Sequence, residues 1–461
     1  MKKNITLLFS LLFLGVGLGF SQNEQDITDL SLVDQYVKAK NFDAAYEPFM
    51  KIRQRNPKYS RAIFTLGEDI LEYKIEKAAS DADKKAFVED QIKLYEERFE
   101  HFASETPVGL YQTRSCQLMY ENRELLGKTD LELYECFDAV YRADKAGFSN
   151  PKSLYTYFSL MVDLYDAGKK PAEELFSKYD DIAEKIAEEV KDNSEKLNVL
   201  IEKEEAGTEL NRRDGLYKRQ HESFLRVFDQ VSSSMDSKLG SRANCENLIP
   251  LYEKNYEANK TDAVWLQRAV SRLFNKECTE DPLYEKMVKA YDETAPSSDT
   301  KYFVGTVLWS NGKENEALDY FTQAFELQTD TYKKGNMAYR IGSILKNKGR
   351  YGQARDYFRQ SSKLNPSNGN PYLQIASMYA SSANSCGDSV FNKQAVYWLA
   401  AEEARKAGRV DPTLAGRSKQ AVDSYIGRAP SKEDIFNKGN AGETIRIGCW
   451  IGASVTVPAI Q

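Results

Sequence analysis

With 461 residues, the chain is longer than one ordinary hydrophobic core organises, whereas stacked hairpins, each buried only against its neighbours, have no such limit. Its 63 basic and 69 acidic residues leave a net charge of −6, which offers no basic patch for DNA or RNA. Two histidines supply little of the side chain most used for proton transfer. Against 28 tyrosines and 22 phenylalanines, the 13 prolines fit a packed helical chain with aromatics between the helices.

Residues 1–21 read as a secretory signal peptide. Lys2 and Lys3 precede an apolar run from Ile5 to Phe20, and Gly19 and Ser21 put small residues where a peptidase cuts, before Gln22. An uncleaved anchor is the alternative, but the run is short and glycine-rich. No cysteine follows it in the lipoprotein position, and no later stretch is apolar enough to span a bilayer. The expected product is periplasmic or secreted.

Residues 22–180 form a first array of helical hairpins. Val33, Tyr36, Phe42, Ala45, Phe49, Ile52 and Pro57 give one hairpin. Gly67 and Ile70, a polar insertion at Ser80 to Lys84, then Tyr95, Phe99 and Phe102 give a degenerate second. Further hairpins are expected over Leu110 to Val140 and Pro151 to Asp180, the latter marked by Tyr157, Leu160, Leu164 and Gly168. Residues 181–240 are rich in Glu, Lys and Arg, with Ile182, Ile186 and Val190 four apart; two long helices broken near Ala206 and Gly207 are expected. They form either a projecting arm or a linking pair with a solvated face. Ser232 to Ser234 and Gly240 mark a boundary.

A second array is expected over residues 241–428. It opens at Cys245, continues through Trp265, Ala269, Tyr284, Val288, Tyr291 and Pro296, and then repeats more clearly. One unit reads Gly305, Leu308, Gly312, Ala317, Phe321, Ala324. The next reads Ile341, Gly342, Leu345, Gly349, Tyr351, Ala354, Phe358, Pro366. A third reads Tyr372, Ile375, Ala376, Tyr379, is interrupted by an insertion from Ser381 to Asn392, and resumes at Ala400, Ala404, Ala407 and Pro412. Four-residue steps put the apolar positions on one helical face, Gly342 lets a second helix approach, Gly349 ends the first helix, and Pro366 closes the unit. A helix from Ala415 to Tyr425 caps the array. In residues 429–461 the period changes to two: Thr444, Arg446, Gly448 and Trp450 alternate with Ile445, Ile447, Cys449 and Ile451, before a second β-rich segment from Ser454 to Val457. A small hairpin is expected there, as a cap on the last helices or as a docking strand or export signal.

The unit from Ile341 to Pro366 resembles the tetratricopeptide repeat (TPR) at nearly every defining position. That resemblance implies an all-α solenoid of helical hairpins whose first helices line a concave groove. It places Tyr302, Thr306, Trp309 and Ser310 in the groove from one repeat, Tyr339, Ser343, Lys346 and Asn347 from the next, and Leu373, Ser377 and Ala380 from a third. The Lys and Asn pair with which some TPR proteins clamp a terminal carboxylate is absent, Tyr302 with Thr306 and Tyr339 with Ser343 standing in the corresponding places. The implied role is a non-enzymatic scaffold for a protein or peptide partner. A glycan- or cell-wall-binding helical module is the alternative; sugar binders of the SusD type are similar in length and contain TPR-like helices, but are normally lipoproteins.

In an exported chain, six cysteines read as disulfides. A hairpin running from Cys245 to about Asn259 and returning from Asp262 to Lys276 brings Cys278 back beside Cys245. Cys116 and Cys136 flank the turn from Gly127 to Asp130, and Cys386 and Cys449 pair by elimination. Buried free thiols are the alternative; a zinc site has neither a CxxC nor more than His101 and His221 to draw on. The sequence contains no G-x-S-x-G elbow, phosphate-cradling glycine loop or H-E-x-x-H helix, so no catalytic residue, cofactor or metal site is expected.

Overall fold

Helix starts in this chain are set by side chains that satisfy the free N–H groups of the first turn. Asn41 caps Phe42–Arg55, Ser80 caps Asp81–Phe102, Thr129 and Glu132 form a reciprocal capping box on Asp130–Ala143, and Asn150 caps Pro151–Asp166. The computed structural model describes residues 24–459; the signal peptide expected at 1–21 lies outside the described residues. The fold is all-α, a helical-hairpin solenoid of the TPR type with a small C-terminal β-hairpin. The chain divides into two compact units, the first ending at Lys185 and the second starting at Ile186.

The first unit contains α1 (24–38), α2 (Phe42–Arg55), α3 (Ala62–Glu76), α4 (Asp81–Phe102), α5 (Val108–Glu121), the single turn α6 (Arg123–Leu126), α7 (Asp130–Ala143) and α8 (Pro151–Asp166), and enters the long helix α9 (Ala172–Glu205). Val33, Ala45, Phe49, Ile52, Ile63, Phe64, Ile70, Leu71 and Leu94 form one buried cluster. Gly67 makes it possible, because a Cβ there would lie 2.4 Å from the Phe49 ring. Ser80 to Lys84 are not an insertion between helices. Ser80 accepts from the Asp83 N–H, so Asp81 onward becomes the first turn of α4, where acidic side chains are favoured. A disulfide joins Cys116 of α5 to Cys136 of α7. Asp144, after α7, accepts from the backbone N–H groups of Gly109 and Gly147, both at 2.9 Å.

The second unit takes the rest of α9, then α10 (Arg212–Leu239), α11 (Cys245–Asn259), α12 (Ala263–Asn275), α13 (Pro282–Thr294), α14 (Ser298–Ser310), α15 (Glu314–Leu327), α16 (Thr331–Asn347), α17 (Tyr351–Leu364), α18 (Asn370–Ser382), α19 (Val390–Val410), α20 (Ala415–Ile426) and α21 (Lys432–Lys438). Gly207, at φ +78°, ends α9 near the expected break. Ser232 to Ser234 do not interrupt the chain; they lie inside α10, which stops at Gly240. The charged α9–α10 pair is not a free arm. Asn198 accepts from the Ser367 N–H at 2.8 Å, and Lys191 pairs with Asp330.

The hairpins α14–α15 and α16–α17 close over glycine. A Cβ on Gly305 would sit 2.6 Å from the Phe321 ring, and one on Gly342 would sit 2.9 Å from Phe358 and 3.2 Å from the Ala354 carbonyl oxygen. Gly312 and Gly349, both at φ +75°, turn the chain between the helices of each pair. The Ser381 to Asn392 insertion is shorter than expected, because α18 runs to Ser382 and α19 begins at Val390, capped by Ser389. Cys245 is bonded to Cys278, and Cys386 to Cys449.

The tail holds a helix that its sequence reading passed over, α21, opened by a capping box between Ser431 and Asp434. After it, β1 (Thr444–Arg446) pairs antiparallel with β2 (Ser454–Thr456), Ile445 opposite Val455. The strands are shorter than the alternation from Thr444 to Ile451, because Cys449 at φ +51° and Gly452 at φ +54° turn the chain. The loop so formed caps the helices. Trp450 donates to Ser382 at 3.0 Å and packs its ring against Tyr351 and Tyr379, while Arg355 donates to the Ile451 carbonyl at 2.5 Å.

Candidate functional site

The first helices of the last repeats, α14, α16 and α18, carry the side chains that the repeat resemblance assigns to a groove. On α16, Tyr339, Ser343 and Lys346 follow one another at steps of four and three, so they share a face. Lys346 reaches from α16 to α18, where its ammonium donates to Gln374 Oε1 at 2.6 Å and Ser377 Oγ at 3.2 Å. Gln374 in turn donates to the Tyr339 hydroxyl at 3.1 Å. A polar chain therefore runs across two repeats. Tyr339 is held from behind by the ring of Phe358, at 5.6 Å between centroids.

The electrostatics of this cluster are one-sided. Lys346 is half-buried, and among the described residues no carboxylate forms an ion pair with it; both of its partners are neutral. Burial lowers its pKa from the ordinary lysine value. An ammonium in this setting has hydrogen bonds but no counter-charge, an arrangement that favours an incoming anion. Ser343 uses its hydroxyl on the Tyr339 carbonyl, at 2.9 Å, and Asn347 is exposed. Leu373, Ser377 and Ala380 are partly exposed on α18.

The α14 positions behave differently. Tyr302 and Thr306 are 3% and 7% exposed, so they are not groove residues. Tyr302 sits among the rings of Phe274, Phe303 and Phe321, and Thr306 is hydrogen-bonded to the Tyr284 hydroxyl at 3.1 Å. The aromatic side chains of α12 to α15 draw both inward. Trp309 is half-buried against Phe321, with Lys348 5.9 Å from its ring, and Ser310 is exposed. Of the positions the resemblance assigns, those on α16 and α18 are the ones joined by side-chain hydrogen bonds, Lys346 to Ser377 directly and Tyr339 through Gln374. Gln374, one position from the Leu373 chosen by register, joins this polar chain although sequence reasoning did not name it; its signal in the sequence is a polar side chain one turn before Ser377.

A buried ionic group lies elsewhere, in the first unit. Lys178 donates to Asp138 at 2.8 Å and to the Tyr157 hydroxyl, which itself donates to Asp138; Arg142 pairs with the other carboxylate oxygen at 2.7 Å. Burial alone would raise the Asp138 pKa, but the Lys178 and Tyr157 hydrogen bonds outweigh it and hold the carboxyl below the usual range. These side chains come from α7, α8 and α9 and satisfy one another, as a structural clamp does. Among the described residues, no group of three or more His, Cys, Asp or Glu side chains is placed to hold a metal ion, and no helix is long and apolar enough to cross a membrane.

No curated protein matches this sequence. Among solved structures, the crystal structure of yeast Tom70 aligns over 90% of this chain and 90% of its own, at 10% identity and a TM-score of 0.31. The family model described as the tetratricopeptide repeat matches residues 298–331 and 336–368, the two hairpins that close over Gly305 and Gly342; the second unit of this chain carries tetratricopeptide repeats.

Proposed function

We propose that the chain is an exported, non-enzymatic scaffold that binds a protein or peptide partner along α16 and α18, with Lys346 receiving an acidic group of that partner. The observation that carries this reading is the half-buried Lys346 ammonium, held among the described residues by the neutral Gln374 and Ser377. A carboxylate beside it supplies the missing charge, while Tyr339 and Leu373 offer flanking apolar surface and the exposed Asn347 offers an amide. Three disulfides support an oxidising, extracytoplasmic location. The mutual pairing of Lys178, Asp138 and Tyr157 supports a structural rather than a chemical use of that ionic cluster.

The test is fluorescence anisotropy with a peptide library in which each acidic peptide is matched by its amide counterpart. Acidic peptides should bind more tightly than their counterparts, more weakly at higher salt, and about tenfold more weakly to Lys346→Gln. Equal binding of acidic and amidated peptides, or saturable retention of a soluble glycan with no peptide bound, would overturn it. The amino terminus of the mature protein tests export: cleavage before Gln22 is expected, and an intact Met1 in the folded protein contradicts it.

A further inference from the structure

The first part of α10 has one covered side and one bare side. The covered side meets α9, where Lys218 donates to Glu204 and His221 lies 2.9 Å from Asn193. Toward the C-terminal end the helix is covered as well, with Phe228, Val231, Met235 and Leu239 buried. Before that its apolar residues stand in the open. Leu216, Tyr217, Phe224 and Val227 are 38–52% exposed, and steps of three, four and seven residues set them along one side of the helix. Tyr217 is fixed in place by Arg213, whose Nε donates to its hydroxyl at 3.2 Å and whose guanidinium lies 5.2 Å from the ring centre.

A second feature borders that stripe. Arg212, Arg219 and Arg226 recur every seventh residue, so they stand in one row at intervals of two turns, and all three are exposed. None of them forms an ion pair among the described residues. Glu222, between two of them in sequence, pairs with Lys218 at 3.9 Å and senses Arg219 and Arg226 only through space. Arg212 also stands in the first turn of α10, where the helix dipole opposes a cation. In a chain of net charge −6, a row of unpaired cations beside uncovered apolar surface calls for an occupant that is both acidic and apolar.

The spacing says what kind. An α-helix laid along α10 can repeat acidic residues at every seventh position and apolar ones at three- and four-residue steps, so that each arginine meets a carboxylate while the apolar rows interlock. A lipid surface fits less well, because Gln220 lies within the apolar stripe and Ser223 between it and the arginine row, and acyl chains offer neither a hydrogen-bond partner. We infer that α10 docks an acidic amphipathic helix of a partner protein, with Leu216, Tyr217, Phe224 and Val227 taking its apolar face and the three arginines its carboxylates. The inference does not rest on the α16–α18 site.

Fluorescence anisotropy on the full mature chain tests it with a synthetic helical peptide of heptads carrying leucine at the a and d positions and glutamate at e and g, set against the same peptide with lysine for glutamate. Saturable binding of the glutamate peptide is expected, weaker at higher salt, with no binding of the lysine peptide. Hydrogen exchange in residues 212–227 should slow when the glutamate peptide is added, which separates this face from Lys346 and leaves the α16–α18 reading standing if α10 fails the test. Arg219→Gln combined with Arg226→Gln, and separately Phe224→Ser, should each weaken binding about tenfold. These side chains are exposed, so both variants should melt as the wild type does. The inference is overturned if the glutamate peptide does not bind, if it binds without slowing exchange in α10, if the lysine peptide binds equally, or if either folded variant binds as the wild type does. Phosphatidylglycerol vesicles that bind the chain when the peptide does not would assign the face to a membrane and overturn it as well.

Discussion

The hairpins of the first unit and those at residues 298–368 solve the same packing problem by different chemistry. In the second, a glycine on the first helix lies under a phenylalanine on the next, Gly305 under Phe321 and Gly342 under Phe358. In the first unit Gly67 under Phe49 repeats that device once, but α5, α7, α8 and the start of α9 are joined by polar clamps: Asp144 on two backbone N–H groups, and Lys178 between Asp138 and Tyr157. A polar clamp carries an energetic risk that a glycine contact does not, because removing one member strands the others.

The largest effect should come from stranding such a member. Lys178→Met leaves the Asp138 carboxylate buried beside Tyr157 with only Arg142 opposite, and should cost roughly 3 kcal/mol, at the low end for a broken buried pair. Calorimetric melting checks this. Adding Asp138→Leu to the same chain should recover part of the loss; no recovery would mean that Lys178 acts by packing alone.

A smaller effect is expected where apolar contact dominates. Gly342→Leu forces a side chain into the space of Phe358 and the Ala354 carbonyl oxygen, and should cost about 1–3 kcal/mol by overpacking. Since the two units are compact by themselves, hydrogen exchange resolved by peptide should place the loosening in α16 and α17. An unchanged exchange pattern there would show that the helices are not in close contact.

The gentlest perturbation is acid. Asp144 is held below the ordinary aspartate pKa by the Gly147 and Gly109 N–H groups, and Asp138 is held below it by Lys178 and Tyr157 against the opposing effect of burial. A carboxyl depressed in the folded state contributes stability that is complete above the unfolded pKa and is lost as pH falls through the folded one. Exchange in α7 and α8 should therefore accelerate below the ordinary aspartate range while α14 and α15, joined at Gly305, respond less. The reverse order would reject the contrast.

These differences also explain what the sequence could reveal. A glycine, an aromatic and four-residue steps recur at a fixed period, so the hairpins at residues 298–368 were legible, as was the α11–α12 return that brings Cys278 to Cys245. Polar clamps leave no such trace, since Asp138, Tyr157 and Lys178 lie on three helices with no shared spacing. Register alone misplaced Tyr302 and Thr306, because the aromatic neighbours that draw them inward come from other elements. It missed Gln374 because the reach of Lys346 across repeats depends on how α16 and α18 pack. The helix α21 was overlooked because seven residues are too few to show a period, although its capping box was there to read.

The most direct test of the binding account is the titration of Lys346 itself, followed by NMR on the chain with isotopically methylated lysines and assigned with Lys346→Arg. Burial without a counter-charge predicts that Lys346 loses its proton at lower pH than the exposed lysines, and that an acidic peptide raises its pKa by supplying a carboxylate. If Lys346 titrates with the surface lysines and does not move when acidic peptides are added, the account is contradicted.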